Sequence, residues 1–406
     1  MWNLNTSDLW NVSPFPNIAR ATAKLIITLL GKVSLKTGVT NLSVYKYLAT
    51  RKAFYFMFVG LAAFILYLYF FAGFGKIVTI LHGVNPEQYA FFYALAVAAM
   101  LLTNFFWLLS WRAVLSSLSV KISVKNAFLY YWTGYFVDLV VPCETVCGEV
   151  TRLVLVQKET DDNYGFIAAG GVTNRIIAYI IVVTGLYSSA VLLFLKSTIP
   201  LVVLSVFSFI LIGASVYLGF LVYLAFSEHA ADKIAKIGLS ILKFLRPKRY
   251  RSSDLSPETR GSLAAFYTGF KTFREKPRLL TKPFLYLTIS WLFGLAQYVL
   301  VFFALGIFKE SFAFFIIVFF LAASLTDVTA SFSVGTLEIL LASIFILYGL
   351  SPALSGITAA LVRSVTFWSP LIMGYLVVQV FGAKRLLAPR PAEKTEIPAK
   401  GSTAKS

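Results

Sequence analysis

Three charged residues set in apolar sequence occur twice in this 406-residue chain, at nearly the same spacing. Asp138 is followed by Glu149 eleven residues on and by Arg175 a further twenty-six; Asp327 is followed by Glu338 eleven residues on and by Arg363 a further twenty-five. Between Ser311 and Phe381 the second three are the only charged residues. A charge at the centre of a membrane-spanning helix costs roughly 2.5–3.5 kcal/mol on insertion scales, so such groups pair or line a polar path. A guanidinium stays charged and donates two parallel hydrogen bonds to phosphate. Arg175 and Arg363 are therefore candidate contacts for a phosphate. Glu149 and Glu338 would hold the arginines when the site is empty, or attract a cationic part of the ligand. Asp138 and Asp327 are candidates for proton or cation coupling, because a charged carboxylate is costly to keep in apolar surroundings.

Each group also has a plainer role. A permanent Glu–Arg pair fixes the fold of its own half, and losing one partner then strands a buried charge. Asp138 and Asp327 are placed to cap backbone groups at a broken helix end. Arg152 reads as lying near the cytoplasmic surface, anchoring its helix, and Glu144 carries no assignment.

Other chemistries fail on inventory. The chain is 58% hydrophobic and 13% charged, whereas soluble domains carry nearer 25% charge, so the expectation is an all-α polytopic membrane protein. No phosphate-cradling loop, nucleophile elbow or histidine at membrane depth is present. Cys143 and Cys147, the only cysteines, stand four apart with no histidine near, too few ligands for zinc. Neither metal nor cofactor is expected. An ion channel would need a continuous polar stripe along a helix, and none is evident. A membrane-embedded transferase acting on a lipid phosphate, using Asp138, Glu144 and Glu149, is the alternative to a translocator.

The elements that must position these residues follow from apolar runs of spanning length. Spans are expected at Ala53–Gly75, Tyr89–Trp111, Gly165–Leu195, Pro200–Phe226, Pro283–Leu305 and Pro352–Phe381. Asn126–Pro142 and Ser311–Thr326 are marginal for crossing and are interrupted at their ends, as re-entrant elements lining a cavity would be. Thr145–Lys158 and Thr336–Leu350 then read as helices carrying Glu149 and Glu338. About six spanning helices plus two re-entrant elements make a pseudo-inverted repeat. Its halves, 53–226 and 283–381, would bring the two charge sets in from opposite faces.

The net charge of +18 lies in three segments, +6 in residues 1–52, +8 in 227–282 and +4 in 382–406. Positive-inside reasoning makes these a cytoplasmic N-terminal segment, a basic cytoplasmic loop and a disordered basic tail, with both termini cytoplasmic in the cell membrane. A short apolar stretch, Leu25–Leu30, reads as an interfacial helix in the first. Ala230–Phe244 reads as an amphipathic helix in the second, and His82 and His229 fall in loops. Met1–Ile18 has no basic start or apolar run, so the first span is expected to serve as the targeting signal. The expected partners are membrane lipids with anionic headgroups. A second copy of the chain or a separate lipid-modifying enzyme is a further option, and nucleic acid is not expected.

At Pro142-Cys143-Glu144-Thr145-Val146-Cys147-Gly148-Glu149-Val150-Thr151-Arg152 the chain resembles the lysylphosphatidylglycerol synthase transmembrane region, a flippase-like family. Pro142, Gly148, Glu149, Arg152 and Arg175 match the family's positions, with Cys147 in place of its first glycine. Gly335, Glu338 and Arg363 match the later signature, although Ala330-Ser331-Phe332-Ser333 lacks its proline and paired glycines. Arg278–Gly306, a basic lead into an aromatic-rich span, is also similar, and the resemblance covers most of residues 50–385. It implies lipid translocation without the synthase chemistry, and it adds Arg152 to the substrate-binding set.

Overall fold

The computed structural model describes residues 74–140, 146–195, 201–227, 257–328 and 333–380, together with residues 65, 66 and 69. The expected N-terminal segment with its interfacial helix, the helix at Ala230–Phe244, the basic tail, and residues 141–145 with Glu144 lie outside the described residues. So do most of the first span and the side chain of Asp327.

Among the described residues regular structure is entirely helical. The order is α1 (Phe74–Gly83), α2 (Pro86–Ser117), α3 (Val124–Val140), α4 (Val146–Thr160), α5 (Tyr164–Phe194) and α6 (Leu201–Phe226). Then come α7 (Pro257–Glu275), α8 (Thr281–Ala304), α9 (Phe312–Val328), α10 (Ser333–Leu347), α11 (Pro352–Arg363) and α12 (Ser369–Val380). A short 3₁₀ turn, Pro277–Leu280, leads into α8, and a π-turn, Ser364–Trp368, joins α11 to α12. His82, expected in a loop, is instead in the last turn of α1.

Among the described residues, four helical stretches are long and apolar enough to cross a membrane: Pro86–Ser117, Tyr164–Phe194, Pro277–Ala304 and Pro352–Gln379. They coincide with four of the six expected spans. Shorter apolar helices run over Phe207–Tyr223, Phe312–Leu325 and Val334–Leu347. Local signals set the helix starts. Asn85 accepts from the backbone N–H groups of Glu87 and Gln88, with Pro86 at the first helical position. Asn163 and Ser351 do the same for α5 and α11. Each cap satisfies a donor that the helix itself leaves orphaned. Outward-facing Phe209, Ile212, Val216 and Phe220 on α6 are exposed, the arrangement that suits acyl chains as solvent and not water.

The helices interlock across the middle of the chain. The most extensive pairing is α2 with α8; α3 packs on α12 and α9 on α5, while α3 pairs with α4 and α10 with α11. Two glycines mark the reciprocal contacts. A Cβ at Gly185 on α5 would strike the Phe320 ring of α9, and one at Gly374 on α12 would fall 2.9 Å from Phe136 Cβ of α3. Small residues let helix backbones approach where no hydrophobic force separates lipid from protein. Gly185 follows Glu149 by thirty-six residues, and Gly374 follows Glu338 by thirty-six. Arg363 sits one residue nearer its glutamate than Arg175 does, and the π-turn just after Arg363 inserts the compensating residue, as a π-bulge does.

α7 is the element that hydropathy alone misses, since it lies within the basic loop. It packs along α5, where a Cβ on Gly165 would collide with Ser262 O and one on Gly269 would fall 2.8 Å from Ala169 Cβ. The main core joins both halves through an aromatic cluster in which Phe302 of α8 stands edge-on to Phe315 at 5.0 Å and to Phe345 at 5.2 Å.

Candidate functional site

The first charge set is held by a tight crossing of α3 and α4. Gly134 and Gly148 face each other there: a Cβ on Gly134 would lie 2.6 Å from Arg152 Cγ and 2.8 Å from Gly148 O. With no side chain between them, Asp138 on α3 reaches the start of α4. Its Oδ1 accepts from Gly148 N at 2.7 Å, satisfying one of the donors a helix start leaves free. Its Oδ2 meets Arg152 Nη2 at 3.2 Å.

Arg152 also donates through Nη1 to Glu149 Oε1 at 2.7 Å, and Arg175 Nη2 reaches the same oxygen at 3.3 Å. The guanidinium of Arg152 lies 5.3 Å from the centroid of Tyr131, a cation–π distance. Tyr131 in turn donates to Asn104 Oδ1 at 2.9 Å. Arg152 is 6% exposed. The surface-anchor reading is therefore corrected: its own carboxylates, one per helix, draw it inward. Asp138 does fulfil the capping role that its position suggested.

The second set is built differently. The regular part of α10 begins after Gly335, which has φ +85° and follows an extended Val334. Only glycine takes that conformation without strain. Glu338 Oε2 accepts from Gly335 N at 2.7 Å, the return bond of a capping box. Its Oε1 takes Arg363 Nε at 3.1 Å, with both side chains about 5% exposed or less. Arg363 also lies 4.7 Å over the ring of Phe367 in the π-turn. Its buried Nη2 has no hydrogen-bond partner, a costly condition for a charged donor.

Five of the seven candidate residues meet at one cavity of about 330 Å³, lined by Asp138, Glu149, Arg152 and Arg175 from one half and Arg363 from the other. Glu338 does not line it but stands behind Arg363. Asp327 is on the last turn of α9, its side chain outside the described residues. α2 and α8 add Asn104, Trp107, Trp291, Gln297 and Tyr298 to the wall. Gln297 Nε2 bonds Thr103 Oγ1 at 2.8 Å and Ser290 donates to Thr103 O at 2.8 Å, tying α8 to α2. Charge spacing does not reveal these uncharged wall residues. Their one sequence signal is an amide, Asn104 or Gln297, inside a span.

The arginines differ in freedom. Arg175 is 23% exposed at its side chain and has one long bond, so it can turn to a ligand at small cost. Arg363 is fixed by Glu338, and its buried Nη2 is left without a partner. Both arginines line the one cavity, where a guanidinium can donate to an anion.

A family model described as the lysylphosphatidylglycerol synthase TM region matches residues 57–374. No curated protein and no solved structure matches the chain.

Proposed function

The chain belongs to the lysylphosphatidylglycerol synthase TM-region family and is a multi-pass membrane protein. On that footing we propose that it moves an anionic phospholipid, or a polyprenyl-phosphate-linked lipid, between the leaflets of the cell membrane. The single observation that carries this reading is the convergence of Arg175 and Arg363, one from each half, on one cavity walled by apolar helices. The lipid phosphate passes between the two guanidinium groups while the acyl chains remain among the outer helix faces. Glu149 and Glu338 hold the arginines in the empty state, and Asp138 and Asp327 are the candidates for coupling to an ion.

The reciprocal packing of α3 on α12 and of α9 on α5 supports an inverted pair of halves, with α3 and α9 as re-entrant elements beside about six spans. In such an arrangement the cavity opens to each face in turn. The basic termini and basic loop favour an orientation with both ends of the chain in the cytoplasm.

Reconstitution in liposomes tests the reading. With a tail-labelled phosphatidylglycerol, Arg175→Gln and Arg363→Lys are expected to lower the rate of leaflet exchange at least tenfold while the proteins still purify as folded material. Lys keeps the charge at 363 but loses the planar fork. Normal exchange by both variants would exclude the phosphate role. Lipid recovered with altered mass would instead favour the membrane-embedded transferase.

A further inference from the structure

Among the described residues, the charges at the cavity cancel. Its described ionisable groups, with Glu338 directly behind, are three carboxylates (Asp138, Glu149, Glu338) and three guanidinium groups (Arg152, Arg175, Arg363). A further carboxylate nearby would only add to the negative side. Each cation is already matched, so a bound phosphodiester must take its positive partner away from a carboxylate.

Geometry decides which carboxylate loses. Arg363 stays with Glu338, since both are buried and Nε makes that contact at 3.1 Å, and Arg363 still lines the cavity. Arg152 is clamped between Asp138 and Glu149. Arg175 is the loosest, joined to Glu149 Oε1 alone at 3.3 Å. When Arg175 turns to phosphate, Asp138 and Glu149 are left sharing Arg152, one negative charge in excess. Glu149 is the more exposed of the two, at 31% against 7%. Among the described residues its Oε2 has no hydrogen-bond partner, and the oxygen faces Gly171, which leaves room beside it. An uncompensated charge in such surroundings costs several kcal/mol.

We propose that the cavity carries an electroneutral load: phosphate on Arg175 and Arg363, and one positive charge beside Glu149. That charge is either a headgroup ammonium or a proton or sodium ion from solution. The groups facing Glu149 are Asp138, Arg152 and Arg175, with Tyr131 and Tyr135 on the adjoining wall. The inference rests on the translocation reading and specifies what accompanies the phosphate.

The test imposes about 100 mV across liposomes holding the full chain and reads the leaflet distribution of tail-labelled phosphatidylglycerol and phosphatidylethanolamine. One uncompensated charge would bias phosphatidylglycerol about fifty-fold at that potential. The expected result is no bias for either lipid with the unaltered protein. Phosphatidylethanolamine should move unaided, and phosphatidylglycerol should move with uptake of one proton or sodium ion per lipid, told apart by a pH-sensitive or a sodium-sensitive dye. Glu149→Gln removes the charge that needs a partner, so its phosphatidylglycerol distribution should follow the potential. A fifty-fold bias with the unaltered protein would overturn the proposal. If no lipid moves at all, the translocation reading fails instead. Binding of dihexanoyl-phosphatidylglycerol in detergent then decides the proposal: uptake of one proton or sodium ion per lipid supports it, and binding with neither overturns it.

Discussion

At the scale of single residues, the two arginines in matched sequence positions are unequal. Arg363 is locked to Glu338 in a buried pair, whereas Arg175 makes one long contact to a half-exposed glutamate. Loss of one member of a buried pair leaves the other charge stranded, at about 3–5 kcal/mol. Partly exposed pairs contribute about 1 kcal/mol or less. Glu338→Gln should therefore lower the thermal midpoint in detergent strongly, while Arg175→Gln should leave it nearly unchanged. A fluorescence-detected melt of the two variants side by side measures the difference. Equal midpoints would mean that the Glu338–Arg363 pair does not hold the second half together.

At the scale of elements, the site depends on how closely α3 and α4 cross. Neither the acidic nor the basic side chains create that approach; Gly134 and Gly148 permit it. A methyl at Gly148 would collide with the Asp138 carboxyl and with Gly134 O, and overpacking of this kind costs about 1–3 kcal/mol. Gly148→Ala should lower stability by that amount and should also slow lipid exchange, because Asp138 and Arg152 are displaced together. Gly261→Ala is the matching control. It lies inside α7 with open space around it, where alanine favours a helix by about 0.5–1 kcal/mol. A melt in which Gly148→Ala and Gly261→Ala behave alike would refute this account of the crossing.

At the scale of the whole molecule, the cavity belongs to neither half. Its walls come from α2, α3, α4 and α5 on one side and from α8, α9, α11 and α12 on the other, and α2 with α8 is the broadest pairing. Among the described residues, the basic loop between the halves carries no residue of the cavity. Co-expressed as two pieces divided at residue 245, the halves should therefore copurify and retain lipid exchange. Either piece alone should aggregate, since the faces of α2 and α8 that bury Leu108 and Val301 would lack a partner. Independent folding of each piece, with no association, would contradict the shared core.

The sequence by itself determined which residues matter energetically. Charges in long apolar runs are expensive wherever the chain places them, so Asp138, Glu149, Arg175, Glu338 and Arg363 stand out before any fold is known. Helix type and the positions of four long apolar helices followed from hydropathy, while the caps at Asn85, Asn163 and Ser351 emerged with the structure. Local pattern could not place Arg152, whose burial results from two carboxylates on different helices, nor α7, whose apolar face has meaning only against α5. It could not rank the two arginines either, since Glu338 hides behind Arg363 through a turn at Gly335. Only the tertiary structure decided that Arg363 of the second charge set meets the first set at one space. Spacing along a chain fixes distance within a helix, but convergence between helices depends on which backbones can touch.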